Sequence, residues 1–130
     1  MSNHLDSCQD LPIDYSEVLE RIGGDEIFLE ELLKIYFEEF SEKIPLLREA
    51  IEQGNFSLIQ ELSHGLKGAS ANLSLASLKK ACSALELSGR EKNIEQAQSA
   101  FLCLGREFQR LKNYLEASPL RNRVRQRSGK

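Results

Sequence analysis

The chain has 130 residues, of which 41% are hydrophobic and 28% charged, so it is long enough to form one globular domain with its own core. Its formal net charge is −3, yet five of its 17 basic residues and none of its acids lie in residues 119–130. Without that segment, 12 basic residues stand against 20 acidic ones, a net charge of −8. An acidic body argues against a nucleic-acid-binding domain, which needs a basic face to displace counterions from phosphates.

Cysteine usage and hydropathy indicate the cell compartment. Cys8, Cys82 and Cys103 show no short CxxC or CxxxC spacing, so neither a disulfide framework nor a metal cluster is expected. The N-terminus lacks the basic and apolar regions of a signal peptide, and no run of about 18 apolar residues occurs. We therefore expect a cytoplasmic protein with no membrane insertion.

Five helical segments follow one another along the chain, and the first is short. Asp14 and Glu17 form a capping-box pattern that opens it, and the pair Gly23-Gly24 ends it. Asp25 then opens a long second helix, for which Gly54 is a suitable C-terminal stop.

The second helix carries one apolar stripe that continues across a proline. Its members recur at alternating steps of four and three residues: Leu33, Phe37, Phe40, Ile44, Leu47 and Ile51. Pro45 interrupts the helix without shifting the phase of this stripe. We therefore expect a kink near Ser41–Pro45 instead of a break.

The third and fourth helices follow closely. Asn55 suits the cap of a third helix that runs over about residues 56–73, and Ser74 or Ser77 can cap the fourth. The apolar positions of the fourth helix are Leu78, Cys82 and Leu85. Gly89 lies at its end.

The fifth helix has the most regular pattern. Asn93 and Gln96 open it with a capping box, and Ser118-Pro119 ends it. Its stripe alternates three and four residues throughout: Ile94, Ala97, Phe101, Leu104, Phe108, Leu111 and Leu115.

Four long amphipathic helices with short links predict an all-α fold, an antiparallel up-down four-helix bundle with a short additional N-terminal helix. We assign the bundle domain to residues 13–117. Residues 1–12 are predicted to be a flexible N-terminus, and the basic residues 118–130 a flexible C-terminal tail.

The third helix has an unusual polar side around His64. At 100° per residue, its apolar residues lie about 120° to 200° away from this histidine: Leu58, Leu62, Leu66, Ala69 and Leu73. The histidine should therefore face solvent. The polar side also carries Gln60, Lys67, Gly68 and Ala71, and Gly65 is next in sequence.

Two glycines inside a helix cost about 1 kcal/mol each relative to alanine, so Gly65 and Gly68 need an explanation. One explanation is that they open the approach to His64, whose neutral imidazole is a competent nucleophile, with Lys67 as a nearby cation for a phosphoryl group. The competing interpretation is an ordinary surface histidine beside glycines that allow close helix packing. Gly68 lies nearer the polar than the apolar face, which weakens that interpretation.

The stretch His64-Gly-Leu-Lys-Gly68, continued by Ala69-Ser-Ala-Asn-Leu73 and by Cys82 and Leu85-Glu86, resembles the histidine-containing phosphotransfer (HPt) family of two-component phosphorelays. The family pattern is His-x-Leu-Lys-Gly-(Ser/Ala)-(Ser/Ala)-x-Asn-Leu. The helical order over about residues 15–115, with a proline in the second helix, is similar as well. Two departures are Ser74-Leu75, where Gly-Ala is common, and Gly65, where Thr or Ser is common.

The resemblance implies a phosphorelay intermediate that is not an autonomous enzyme. In this reading His64 accepts a phosphoryl group from a receiver-domain aspartate, through the ring nitrogen remote from the backbone, and passes it to another receiver aspartate. Lys67 would stabilise charge and Gly68 would give steric clearance. The residues expected at the partner-binding surface are Gln60, Gly65, Ala71 and Arg90.

The implied partners are receiver domains of response regulators and hybrid histidine kinases. No cofactor or metal is expected on this chain, since the magnesium of the reaction would belong to the receiver. Because His64 must stay accessible, we expect a monomer. The alternative function is a helical adaptor that binds a receiver or kinase domain without being phosphorylated. A histidine kinase would need ATP-binding elements, of which the sequence shows none.

Overall fold

The computed structural model describes residues 11–117, and this part of the chain is built from α-helices without a β-strand. The helices are α1 (Tyr15–Arg21), α2 (Glu26–Gln53), α3 (Phe56–Asn72), α4 (Ala76–Arg90) and α5 (Ile94–Glu116). Links of two or three residues join the four long helices, so neighbours in sequence run antiparallel. The prediction of an all-α bundle with a short N-terminal helix is confirmed. The segments predicted to be flexible lie outside the described residues, except for residues 11–12.

Polar side chains cap four of these helices as the sequence indicates. Asp14, Asp25, Asn55 and Asn93 each accept a hydrogen bond from the backbone N–H three residues later. Such a cap stabilises a helix by about 1 kcal/mol relative to alanine. Gly54 closes α2 in the left-handed region, with φ of 67°. These local signals place α2, α3 and α5 within a residue or two of their predicted limits.

Helix α2 continues through Pro45. Ser41 and Pro45 are both exposed, so water can reach the carbonyl that the proline leaves without a donor. The predicted kink stays a prediction, but the absence of a break is confirmed. Most of the predicted stripe is buried, while Phe37 and Ile44 are partly buried against the core.

The start of α4 differs from the prediction. Neither Ser74 nor Ser77 caps it: the cap position is Leu75, and no side chain bonds to the first turn. Ser74 adopts a left-handed conformation with φ of 57°, and its hydroxyl accepts a hydrogen bond from Arg21 at 3.1 Å. Leu75 is fully buried. Burial of this leucine and the contact with α1 therefore shape the turn, and the predicted serine cap is wrong.

Arg21 fastens α1 to the end of α3. Its guanidinium donates hydrogen bonds to the carbonyls of Ala71 and Asn72, two of the last carbonyls of the helix, of which the Ala71 carbonyl also accepts from the Ser74 N–H. A cation at a helix C-terminus is also favoured by the helix dipole. Asp14 adds a backbone hydrogen bond to the carbonyl of Ser74 at 3.3 Å. The short first helix thus holds the α3–α4 turn in place.

None of the helices in residues 11–117 is long and apolar enough to cross a membrane.

Candidate functional site

His64 lies in the middle of α3 and faces solvent, with 69% of its side chain exposed. On the other side of the helix, Ile59 and Leu66 are completely buried. The orientation predicted from the helical phase is therefore confirmed. The imidazole ring is therefore accessible to another molecule.

The buried face of α3 is rotated from the predicted one. Ser63 and Ser70 are fully buried, whereas Leu58, Leu62 and Ala69 are only partly buried. The Ser70 hydroxyl donates to the Leu66 carbonyl at 2.8 Å and also lies 2.8 Å from the Tyr36 hydroxyl, which stabilises it in the core. A pattern based on apolar residues alone cannot detect this rotation, because small serines can pack where α4 comes close.

Glu86 on α4 is the main residue of the site that the sequence reasoning missed. Its Oε2 lies 2.9 Å from Nδ1 of His64, and its Oε1 lies 2.6 Å from Nζ of Lys67. Only 11% of the side chain is exposed. A signal was present in the sequence, because Glu86 follows Cys82 by four residues and so continues the buried stripe of α4. An acid on such a stripe predicts a paired, buried carboxylate.

The two contacts set the charge of this carboxylate. The hydrogen bond from Lys67 is the largest influence on the pKa of Glu86 and lowers it, His64 lowers it further, and burial opposes both. The net effect holds the pKa of Glu86 below its usual range, so the side chain is ionised at neutral pH. An ionised carboxylate is only an acceptor, and Nδ1 of His64 must therefore carry the proton. The lone pair of the neutral ring is then on Nε2, the nitrogen remote from the backbone.

Lys67 is placed differently from the simplest prediction, which put it beside an incoming group. Its ammonium is bound to Glu86, and 30% of its side chain is exposed. The lysine and the histidine ring therefore share one carboxylate. This geometry keeps a positive charge close to the imidazole without any contact between the two.

The glycines of the site divide into two kinds. A Cβ atom at Gly68 would meet no atom within 4 Å, so this glycine does not serve helix packing. A Cβ atom at Gly89 would lie 2.9 Å from the carbonyl oxygen of Phe56 and 3.0 Å from the backbone nitrogen of Gln60. Gly89 therefore allows α3 and α4 to approach closely. It lies in the last turn of α4, at the end of the helix as predicted, and Lys92 is the residue with left-handed φ after the helix.

A family model of the Hpt domain matches residues 31–118 of this sequence. The chain belongs to the Hpt domain family. Family membership places it in the histidine phosphotransfer of two-component phosphorelays, as the sequence resemblance predicted. The match includes His64, Lys67, Gly68 and Glu86, and it begins inside α2, so α1 lies outside it. Neither the curated proteins nor the solved structures gave a significant match.

Three other residues of this Hpt domain that were predicted for the partner-binding surface, Gln60, Arg90 and Ala71, lie at the two ends of the site. Gln60 is half-buried one turn before the histidine, and Arg90 is exposed one turn beyond Glu86 on α4. The packing of Gly89 against Gln60 places Arg90 toward the Gln60 end of the site. Ala71 is half-buried at the other end, where its carbonyl binds Arg21. Within residues 11–117, the hydrogen bond of the His64 ring is to Glu86 and to none of these three.

Cys82 lies on α4 one turn before Glu86 and is fully buried. Burial raises the pKa of this thiol to about 12. A protonated and inaccessible thiol is no nucleophile, so Cys82 belongs to the core of the Hpt domain and not to its chemistry. Among residues 11–117, no group of three His, Cys, Asp or Glu side chains is arranged to hold a metal ion.

Helix α2 contributes a second flank that the sequence analysis did not identify. Lys43 reaches α3, where its Nζ lies 3.2 Å from the position of a Cβ atom at Gly65. On the same side of α2, within about 80° of Lys43, three large apolar side chains are exposed. They are Phe28 at 43%, Ile35 at 58% and Leu46 at 48%. We call these three the α2 apolar stripe. Leu46 lies about one turn after Lys43, whereas Ile35 and Phe28 lie about two and four turns before it along α2.

Proposed function

We propose that this Hpt domain is a phosphorelay intermediate in which His64 accepts a phosphoryl group from one receiver-domain aspartate and transfers it to another. The observation that carries the proposal is the hydrogen bond between Nδ1 of His64 and Glu86. It leaves Nε2 unprotonated and exposed on the open side of the bundle, which is the state a nucleophile requires.

The chemical step follows from this arrangement. The Nε2 lone pair attacks phosphorus, the bond from phosphorus to the aspartyl oxygen breaks, and the aspartate leaves as a carboxylate. As the N–P bond forms, the ring becomes positively charged, while its proton stays on Nδ1. The ionised Glu86 stabilises that charge at 2.9 Å, in the way a carboxylate orients and stabilises a catalytic imidazolium. The reverse reaction delivers the group to the second aspartate.

Lys67 and Gly68 support the transfer in different ways. The ammonium of Lys67 is on Glu86 in the unphosphorylated protein, and it can turn toward the phosphoryl oxygens once they arrive. Gly68 lies one turn after His64 and offers open space there, so the approach of a second protein is unobstructed. No step needs a metal on this chain, and we assign the magnesium of the reaction to the receiver.

The α2 apolar stripe supports docking of a protein partner. Exposed large apolar residues are common at protein-binding surfaces, and Leu46 of this stripe lies one turn from Lys43, which reaches α3 at Gly65. We infer that the partners are receiver domains of response regulators and hybrid histidine kinases, and that the Hpt domain acts as a monomer and not as an autonomous enzyme. Free thiols at Cys82 and Cys103 support a reducing compartment, so we place the relay in the cytoplasm.

The test is to incubate the protein with receiver domains labelled on their aspartate. We expect acid-labile, alkali-stable label on the wild type and none on His64→Gln. The matched control is His4→Gln, because His4 is the other of the two histidines in the chain. Absence of label from the wild type across a panel of receivers, with binding retained, would support the adaptor function instead. Label that persists in His64→Gln would also overturn the proposal.

A further inference from the structure

A second lysine lies against Gly65, the residue that follows His64, on the flank of α3 away from Glu86. The ammonium of Lys43 comes from α2 and lies 3.2 Å from where a Cβ atom at Gly65 would be. Because Gly65 has no side chain, this ammonium can lie directly against α3. Lys43 pairs with Glu39 at 2.8 Å, and 28% of its side chain is exposed.

Lys43 and Lys67 therefore stand on opposite sides of the histidine. Lys67 lies about 60° from His64 around α3 in one direction, and Gly65 lies about 100° from it in the other. Each lysine is bound to an acid of this chain, Lys67 to Glu86 and Lys43 to Glu39. Each flank of the exposed ring therefore carries an ammonium group that is neutralised by a carboxylate of this chain.

The ion pair between Lys43 and Glu39 does not stabilise the fold enough to explain why Lys43 lies against α3. Its described partner Glu39 is one turn earlier on the same helix, so the pair does not tie α2 to α3. A partly exposed pair of this kind contributes little to folding, and it can exchange one carboxylate for another at low cost. The side chain is thus held against Gly65, one residue from His64, in an ion pair that can change partner.

We propose that Lys43 is a specificity-determining residue. When a receiver domain docks, the ammonium of Lys43 releases Glu39 and binds a carboxylate of the receiver. This inference rests on the proposed function. A receiver reacts through an aspartate, so its docking surface brings negative charge to His64. An ammonium group on each side of the ring is complementary to that charge. Gly65 leaves the space in which the Lys43 side chain lies against α3. The α2 apolar stripe gives nonspecific contact area beside it, and Lys43 adds the charge that selects an acidic partner.

The first experiment compares Lys43→Met with Lys80→Met. Lys80 is exposed in the groove between α4 and α5, away from α3, so it is a matched control. Transfer from a phosphorylated receiver is measured over a range of receiver concentrations. We expect Lys43→Met to raise KM about fivefold with little change in maximal rate, and Lys80→Met to behave as wild type. Equal KM values in the two variants would overturn the inference.

A small phosphodonor separates docking from chemistry. Phosphoramidate can label His64 without a receiver, so Lys43→Met should be labelled by it at the wild-type rate. A parallel loss of labelling by phosphoramidate would place Lys43 in the chemistry of the ring and contradict a docking role. If the wild type accepts no label from any receiver, the proposed function itself fails. If the wild type is labelled and Lys43→Met matches it, this inference alone fails.

A double-mutant cycle tests the part played by Gly65. The substitution Gly65→Thr places a branched side chain where the ammonium of Lys43 lies, so it should raise KM for the receiver by a similar factor. In the Lys43→Met background the same substitution should have no further effect, since the displaced group is already absent. Independent, multiplying effects of the two substitutions would show that Gly65 does not position Lys43.

Discussion

His64 and Glu86 lie on neighbouring antiparallel helices, with the ring Nδ1 2.9 Å from the carboxylate Oε2. In the proposed function the exposed His64 carries the nucleophile, and the buried Glu86 fixes which ring nitrogen is free. The same carboxylate holds Lys67 at 2.6 Å, so one acid on α4 organises both the ring and the nearest cation on α3. Much of the behaviour of the site should therefore depend on a residue that does not touch the partner.

The substitution Glu86→Gln should slow phosphotransfer to His64 by about tenfold, because a neutral amide replaces a charged acceptor for the developing imidazolium. The rate of labelling by a phosphorylated receiver measures it. The control is Glu95→Gln, an exposed acid on α5. In ¹⁵N spectra of the neutral ring, the wild type should show the proton on Nδ1, and Glu86→Ala should show a mixture of tautomers. Full activity in both Glu86 variants would rule out the proposed role.

Acid should remove the stability that Glu86 contributes. The pKa of Glu86 in the folded protein lies below its ordinary value of 4.5, so the group stabilises the folded state above that value. The contribution is lost as the pH falls through the lowered pKa. We expect the difference in free energy of unfolding between wild type and Glu86→Gln to be constant near neutral pH and to shrink below about pH 4.5. Urea titrations at a series of pH values measure this, and a difference that grows on acidification would contradict it.

The space at Gly68 should matter for transfer and not for folding. Gly68→Gln fills the approach beside His64, so phosphotransfer from a receiver should fall by at least tenfold. Stability should rise by about 0.5 to 1 kcal/mol, because glycine is a poor helix former and no atom lies near the new Cβ. Gly105→Gln on α5 is the matched control, since its Cβ is equally unobstructed. It should gain similar stability and keep full transfer. Normal transfer in Gly68→Gln would show that clearance is not its role.

The parts of the fold that depend on local chemistry could be predicted from the sequence. Caps such as Asp25 and Asn93 act on atoms three residues away, and apolar stripes follow helical geometry, so both can be identified before the helices pack. The exposure of His64 belongs to the same class, because it depends on the phase of one helix. The turn at Ser74 does not belong to this class, because its conformation depends on a hydrogen bond from Arg21 on α1.

The contacts between helices could not be predicted in this way. The pairing of His64 with Glu86 needs the register of α3 against α4, and the place of Lys43 against Gly65 needs the register of α2 against α3. Sequence periodicity gives the face of each helix but not the offset between helices. Gly89 illustrates the same limit, because a glycine at the end of a helix is a suitable stop signal and an equally suitable packing residue.

The close approach at Gly89 predicts a large effect from one methyl group. In Gly89→Ala the new Cβ would lie 2.9 Å from the Phe56 carbonyl oxygen and 3.0 Å from the Gln60 nitrogen, and these backbone atoms cannot move unless α3 and α4 separate. We expect overpacking to cost about 1 to 3 kcal/mol against a gain of about 1 kcal/mol in helix propensity, so the net loss of stability should be up to about 2 kcal/mol. Gly105→Ala provides the control and should be stabilised.

Separation of the helices would also lengthen the contact between His64 and Glu86, so Gly89→Ala should slow phosphotransfer even at temperatures where it is fully folded. Thermal unfolding measures the first effect and the labelling rate the second. If Gly89→Ala were as stable as Gly105→Ala, α3 and α4 could accommodate the methyl group and the prediction would be wrong.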